Sequence, residues 1–141
     1  MDRIEQEIGF LNRSICYYER KLAFLLKHRS AIEAMQFEGY DYSGLDCIWY
    51  TPTINFVSRD YEDNDPDDNQ VIIDWAYEHD IPILQEVTNE GTAIKTKPIQ
   101  LNGFDEEVVI RFLISKAIPA EYIMRTEIFE YKVISCSGGG K

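Results

Sequence analysis

From Ile4 onward, apolar side chains recur in alternating steps of four and three: Ile4, Ile8, Leu11, Ile15, Tyr18, Leu22 and Leu25. The next position on this stripe is Arg29, followed by Ile32 and Gln36. Residues 2–36 contain no proline and one glycine, Gly9, so the segment predicts one long helix. The seven-residue spacing suits coiled-coil-like packing. A guanidinium does not lose its proton, so a charge on a packed seam needs a carboxylate or an anionic ligand.

Two further columns run along the helix. Phe10, Tyr17, Phe24 and Ala31 form an aromatic one; Gly9, Cys16, Ala23 and Ser30 form a small one. They suggest contact on more than one side, with the chain's own sheet and with a second copy. A single wide core face within a monomer is the alternative. A helix this long in a chain of 141 residues favours oligomerisation.

The rest of the chain alternates breakers with extended runs. Gly39 and Gly44 punctuate the end of the helix, and residues 46–58 are rich in β-formers, with Pro52 implying an edge or a bulge. A short helix is expected over 68–79, its apolar face supplied by Val71, Ile72, Trp75 and Ala76 and its start favoured by the acids before it. Strands are expected near 82–88, 93–101, 106–116 and 122–135, with turn signals at Asn89-Glu90-Gly91 and Asn102-Gly103. The expected fold is α+β: a long N-terminal helix, a short second helix and a mostly antiparallel sheet. One domain spans 1–141, with 1–37 used for packing and oligomerisation, 45–136 as a sheet-rich body and 137–141 as a flexible tail.

Hydrophobic content of 45% supports a folded core. Net charge is -11, from 25 acids against 14 lysines and arginines. That balance argues against direct nucleic-acid binding, which needs a basic footprint. Cys16, Cys47 and Cys136 form no CxxC, and His28 and His79 lie at no zinc-type spacing, so reduced thiols and no metal are expected. Asp63, Asp65 and Asp67 imitate a calcium loop, but Asp68 fills the glycine slot and Pro66 intrudes. Without a signal-peptide pattern or a membrane-length apolar run, the expected location is the cytoplasm.

No phosphate-binding glycine motif or nucleophile–base signature is present, so no catalytic residue and no cofactor are assigned. The arginines carry more information. Arg111 sits in Val108-Val109-Ile110-Arg111-Phe112-Leu113-Ile114, sharing a strand face with Val109 and Leu113. A charge there is costly unless paired or liganded. Arg125 has Glu127 on its own face, and Arg59 has Asp60 and Glu62 beside it. Arg3, Arg13 and Arg20 are expected to face water. An anion pocket is the functional reading of Arg29 and Arg111, with Trp49, Tyr50, Trp75 and Tyr77 available to stack on a purine. Pairing with the chain's own carboxylates is the bland alternative, slightly favoured for either arginine alone.

In length, long N-terminal helix, sheet-rich body and placement of arginines, the chain resembles the small phage proteins that disarm Thoeris defence by sequestering its cyclic ADP-ribose signal. Some members of that family also hold cyclic oligonucleotides. The likeness is one of layout over most of the chain and rests on no contiguous motif. It implies a non-enzymatic sponge, a homo-oligomer acting in the host cytoplasm. Arg59 and Arg111 would meet the signal's pyrophosphate. Arg29, with Tyr77, would serve a site shared between protomers. No position matches the family's base-stacking residue, and Asn89 with its loop is the candidate for that part of the site. A second function class is an acidic protein inhibitor, such as an anti-CRISPR, that covers a basic nucleic-acid groove. A third is an assembly subunit using its coiled-coil face.

Overall fold

The computed structural model describes residues 2–47, 51–63, 69–89 and 91–118. The first helix, α1 (Arg3–Ala34), begins where expected: the Asp2 side chain accepts a hydrogen bond from the Glu5 amide at 2.8 Å and caps it. It departs from helical geometry at His28 (φ -112°, ψ 17°), a kink with no proline to cause it. Its buried residues lie in its C-terminal part. Phe24, His28 and Ile32 are buried, and no α1 residue before Phe24 is.

Five strands follow among the described residues: β1 (Tyr40–Asp46), β2 (Thr53–Ser58), β3 (Ile83–Thr88), β4 (Gly91–Thr96) and β5 (Val109–Ile114). A single 3-10 turn at Tyr61–Asp63 and the second helix, α2 (Gln70–Glu78), lie between β2 and β3. The sheet order is β1-β2-β5-β4-β3. Every neighbouring pair is antiparallel except β2 with β5, which are parallel and therefore require the long crossover through α2 and the β3–β4 hairpin. The fold is α+β, with a mostly antiparallel sheet. The expected strand at 122–135 and the tail at 137–141 lie outside the described residues, as do Trp49, Tyr50 and Asp65 to Asp68.

β1 was not among the expected strands; the sheet begins at Tyr40, inside the stretch read as a helix-breaking loop. It is an edge strand with a register shift between Tyr42 and Gly44. Bulged, glycine-bearing edges carry little of the alternation by which strands are recognised. The start of α2 also differs. Asn69 is the N-cap residue, but its side chain makes no cap bond. It is buried and accepts a hydrogen bond from the Tyr40 hydroxyl instead, tying α2 to β1.

Even-numbered positions of the central strands fill the core. Ile54, Phe56, Ile94, Ile110, Phe112 and Ile114 are all buried. Phe112 stacks on Phe56 (centroids 5.7 Å) and takes the edges of Phe37 (4.9 Å) and Tyr40 (5.5 Å). From α2, Ile72, Ile73 and Ala76 are buried, and Trp75 packs edge-on to Phe37. Trp75 is thus a wall of the core, with its ring used by Phe37 and Phe112 rather than presented for stacking. The odd-numbered strand positions point to the opposite face of the sheet, where the candidate site lies.

Candidate functional site

Antiparallel pairing of β4 with β5 and parallel pairing of β2 with β5 set three polar residues in a row. Asn55, Arg111 and Lys95 are registered partners across the sheet. The Arg111 Nη1 donates to Asn55 Oδ1 at 3.3 Å, and Asn55 Nδ2 donates to the Gly44 carbonyl at the β1 bulge, also at 3.3 Å. The bulge therefore helps to aim the amide, and the amide helps to hold the guanidinium. Lys95 reaches Glu86 at 3.2 Å on β3.

These residues line a concave face of about 640 Å³ together with Ser43, Asp46, Thr53, Val57, Val109 and Leu113. Its plan is apolar walls, two cations and an amide at the centre, and two carboxylates. Two like charges facing each other across a strand pair repel, and Glu86 offsets this at Lys95. Arginine offers a fork matched to phosphate or carboxylate oxygens, and lysine a point charge beside it. Asp46 and Glu86 supply acceptors for hydroxyl or amino groups.

Of the other predicted site residues, Arg29, Arg59, Tyr77 and Asn89, none is among the described residues that line this face. Arg29 is exposed on α1 (side chain 75% exposed) and bonds Glu33, one turn along, at 3.2 Å. Its partner is thus an ordinary helix-surface carboxylate. Arg59 lies at the end of β2 and grips Asp41 of β1 through two bonds, 2.9 and 3.3 Å. Asp41 thus takes the place of Asp60 and Glu62, the neighbours expected for it. Arg59 holds the Asp41 carboxyl below the usual carboxylate range. Tyr77 is exposed on α2, and Asn89 is exposed in the β3–β4 turn. Arg20 does not simply face water as expected: it donates to the Cys47 carbonyl and fastens α1 to the end of β1.

Sequence reasoning identified Arg111 and its face but missed Lys95 and Asn55. A polar residue alternating in a strand reads as solvent-facing, and only the pairing of distant strands shows the three in line. The thiols also differ from expectation. Cys16 is disulfide-bonded, whereas Cys47 is free and buried. Burial pushes the Cys47 thiol up, away from the thiolate form that a nucleophile requires. Among the described residues, no helix is long and apolar enough to cross a membrane.

No protein-family model matches the chain, and comparisons with curated proteins and with solved structures find no match either.

Proposed function

We propose that this protein is a non-enzymatic binder that sequesters a nucleotide-derived signalling molecule, acting as an anti-defence sponge of the kind its layout resembles. The observation that carries this reading is the cross-strand pair of Arg111 and Lys95, with Asn55, inside a concavity of about 640 Å³. Pockets of roughly 300–1,000 Å³ suit ligands of nucleotide size. The guanidinium and ammonium take the phosphates. Thr53, Val57, Val109 and Leu113 pack against the sugar or base, and Asp46 accepts from hydroxyl or amino groups. Nothing in this scheme turns the ligand over; affinity is the activity.

The same reading includes assembly through α1. Ile4, Ile8, Leu11, Ile15, Tyr18 and Leu22 are all exposed in the protomer, so the heptad seam is free for another helix. Its occupant is a second copy of this chain. The first turns carry Asp2, Glu5 and Glu7 against Arg3. The second half carries Arg20, Lys21, Lys27 and Arg29 against Glu19 and Glu33. An antiparallel copy sets unlike charge opposite unlike charge. Arg29, Tyr77, Arg59 and Asn89 then remain candidates for sites completed between protomers, since one protomer does not gather them.

The test is a thermal-shift scan with cyclic ADP-ribose isomers and cyclic di- and trinucleotides. A ligand at 100 times its dissociation constant adds about 2.7 kcal/mol of stability. A shift that is present in the native chain and absent in Arg111→Ala supports the proposal. No shift with any of these compounds contradicts it.

A further inference from the structure

A second cluster lies at the kink of α1, away from the concave sheet face. His28 is buried (3% exposed), and its ring is wedged between Phe24 (centroids 4.4 Å) and Phe104 (5.2 Å). Its Nε2 is fully buried and makes no hydrogen bond. It nevertheless sits 3.0 Å from Asp105 Oδ1, an approach without hydrogen-bond geometry. Glu106 completes a set in which one donor atom from each of the three residues lies within 4.8 Å of the others. The other Asp105 oxygen, Oδ2, is held by Lys27.

The loop between β4 and β5 brings these carboxylates to the helix. Gly103 adopts φ +92°, a left-handed conformation that glycine tolerates, and a side chain there would meet the Ala31 Cβ at 2.9 Å. The loop therefore lies close against α1, with Phe104 under His28 and Asp105 beside it. A cavity of about 700 Å³, lined in part by Lys27, His28, His79 and Asn102, opens next to the ring and offers an entry path.

We infer that His28, Asp105 and Glu106 form a binding site for a divalent transition metal, zinc or a close relative, that fastens the kink of α1 to the β4–β5 loop. Three features point this way. A buried imidazole nitrogen with no hydrogen bond is costly unless something takes its lone pair. One nitrogen and two carboxylates form a borderline ligand set that suits zinc, manganese or iron better than calcium. Two donors on one metal at about 2.0–2.2 Å stand roughly 3.0–3.5 Å apart, which matches the separation of His28 Nε2 from Asp105 Oδ1. Asp105 divides its oxygens, one toward Lys27 and one toward the metal. The site is independent of the anion-binding reading.

The experiment uses the full chain stripped with chelator and then offered Zn²⁺, Mn²⁺ or Mg²⁺ alone. The expected result is one Zn²⁺ retained per chain after gel filtration, with a saturable rise in Tm. Asp105→Asn combined with Glu106→Gln, both at exposed positions, keeps the native circular dichroism and weakens Zn²⁺ binding by more than about tenfold. The His28 ring resonances shift on Zn²⁺ addition in the native chain and stay in place in that double variant. Failure to retain Zn²⁺, or equal Zn²⁺ affinity in the double variant, overturns the inference. Mg²⁺ binding as tight as Zn²⁺ also overturns it, because that would mean an oxygen-only site without the imidazole.

Discussion

Arg111 on β5 and Lys95 on β4 are direct cross-strand partners on the face of the sheet opposite the aromatic core. Along the chain Arg111 lies between Ile110 and Phe112, and Lys95 between Ile94 and Thr96. The side facing α1 and α2 is filled by Phe56, Phe112 and branched aliphatics, while the other side gathers charge at its centre. One sheet thus separates the work of folding from the work proposed for binding, and substitutions on the two faces have separable consequences.

Phe112→Ala tests the folding face. Phe112 is fully buried and contacts Phe37, Tyr40 and Phe56. Truncation removes a large apolar surface and leaves a cavity in the aromatic cluster, at a cost of about 3–5 kcal/mol. Urea denaturation read by tryptophan fluorescence measures the loss; a change under about 1 kcal/mol contradicts this placement of the core.

Glu86→Gln tests the electrostatics of the binding face. Glu86 offsets Lys95 at 3.2 Å. Removing its charge leaves the concavity more positive, and affinity for a phosphate-bearing ligand rises by roughly two- to fivefold, the scale of a half-exposed ion pair. Weaker binding in the variant instead shows that Glu86 contacts the ligand directly.

The exposed seam of α1 makes a third prediction. Ile15 is exposed in the protomer, so Ile15→Glu leaves the fold intact and removes the apolar contact between copies. Light scattering is expected to give a dimer or larger for the native chain and a monomer for the variant, with unchanged circular dichroism. A native chain that is monomeric at high concentration rules out assembly through this face.

Acid sensitivity follows from Asp41. Its folded value lies below the ordinary 3.8, chiefly through the hydrogen bond from Arg59. The unfolded carboxyl therefore takes up a proton at higher pH than the folded one. The contribution of the pair is complete above about pH 4 and is lost as pH falls through the depressed folded value. Both groups are exposed, so the effect at neutral pH is small. Urea midpoints measured from about pH 5 downward are expected to fall, and less steeply in Asp41→Asn. An identical slope in the variant excludes Asp41 as a contributor.

Much of the architecture was legible from local signals. A heptad stripe from Ile4 to Leu25 defined α1, the Asn89-Glu90-Gly91 turn signal separated β3 from β4, and the apolar run around Arg111 defined β5. What could not be read was which side of each element the body covers. The α1 stripe was expected to be packed, but it is exposed as far as Leu22, and the buried residues are Phe24, His28 and Ile32, of which only Ile32 lies on the stripe. Arg29 consequently finds Glu33 in its own helix rather than a buried partner. The site was half legible for a related reason. Alternation placed Arg111 with Val109 and Leu113, whereas Asn55 and Lys95 join it only through pairing between strands far apart in sequence. His28 and Asp105, separated by most of the chain, left no spacing signal at all.

The most direct measurement is calorimetric titration of the native chain and of Arg111→Ala with the cyclic nucleotide or cyclic ADP-ribose isomer that gives the largest thermal shift. The account predicts saturable binding to the native chain, recovery of the ligand unaltered after release, and at least a tenfold loss of affinity in the variant, the equivalent of about 1.4 kcal/mol for a charge-assisted contact. Equal affinity in the variant, or a ligand recovered as a cleaved product, would contradict it.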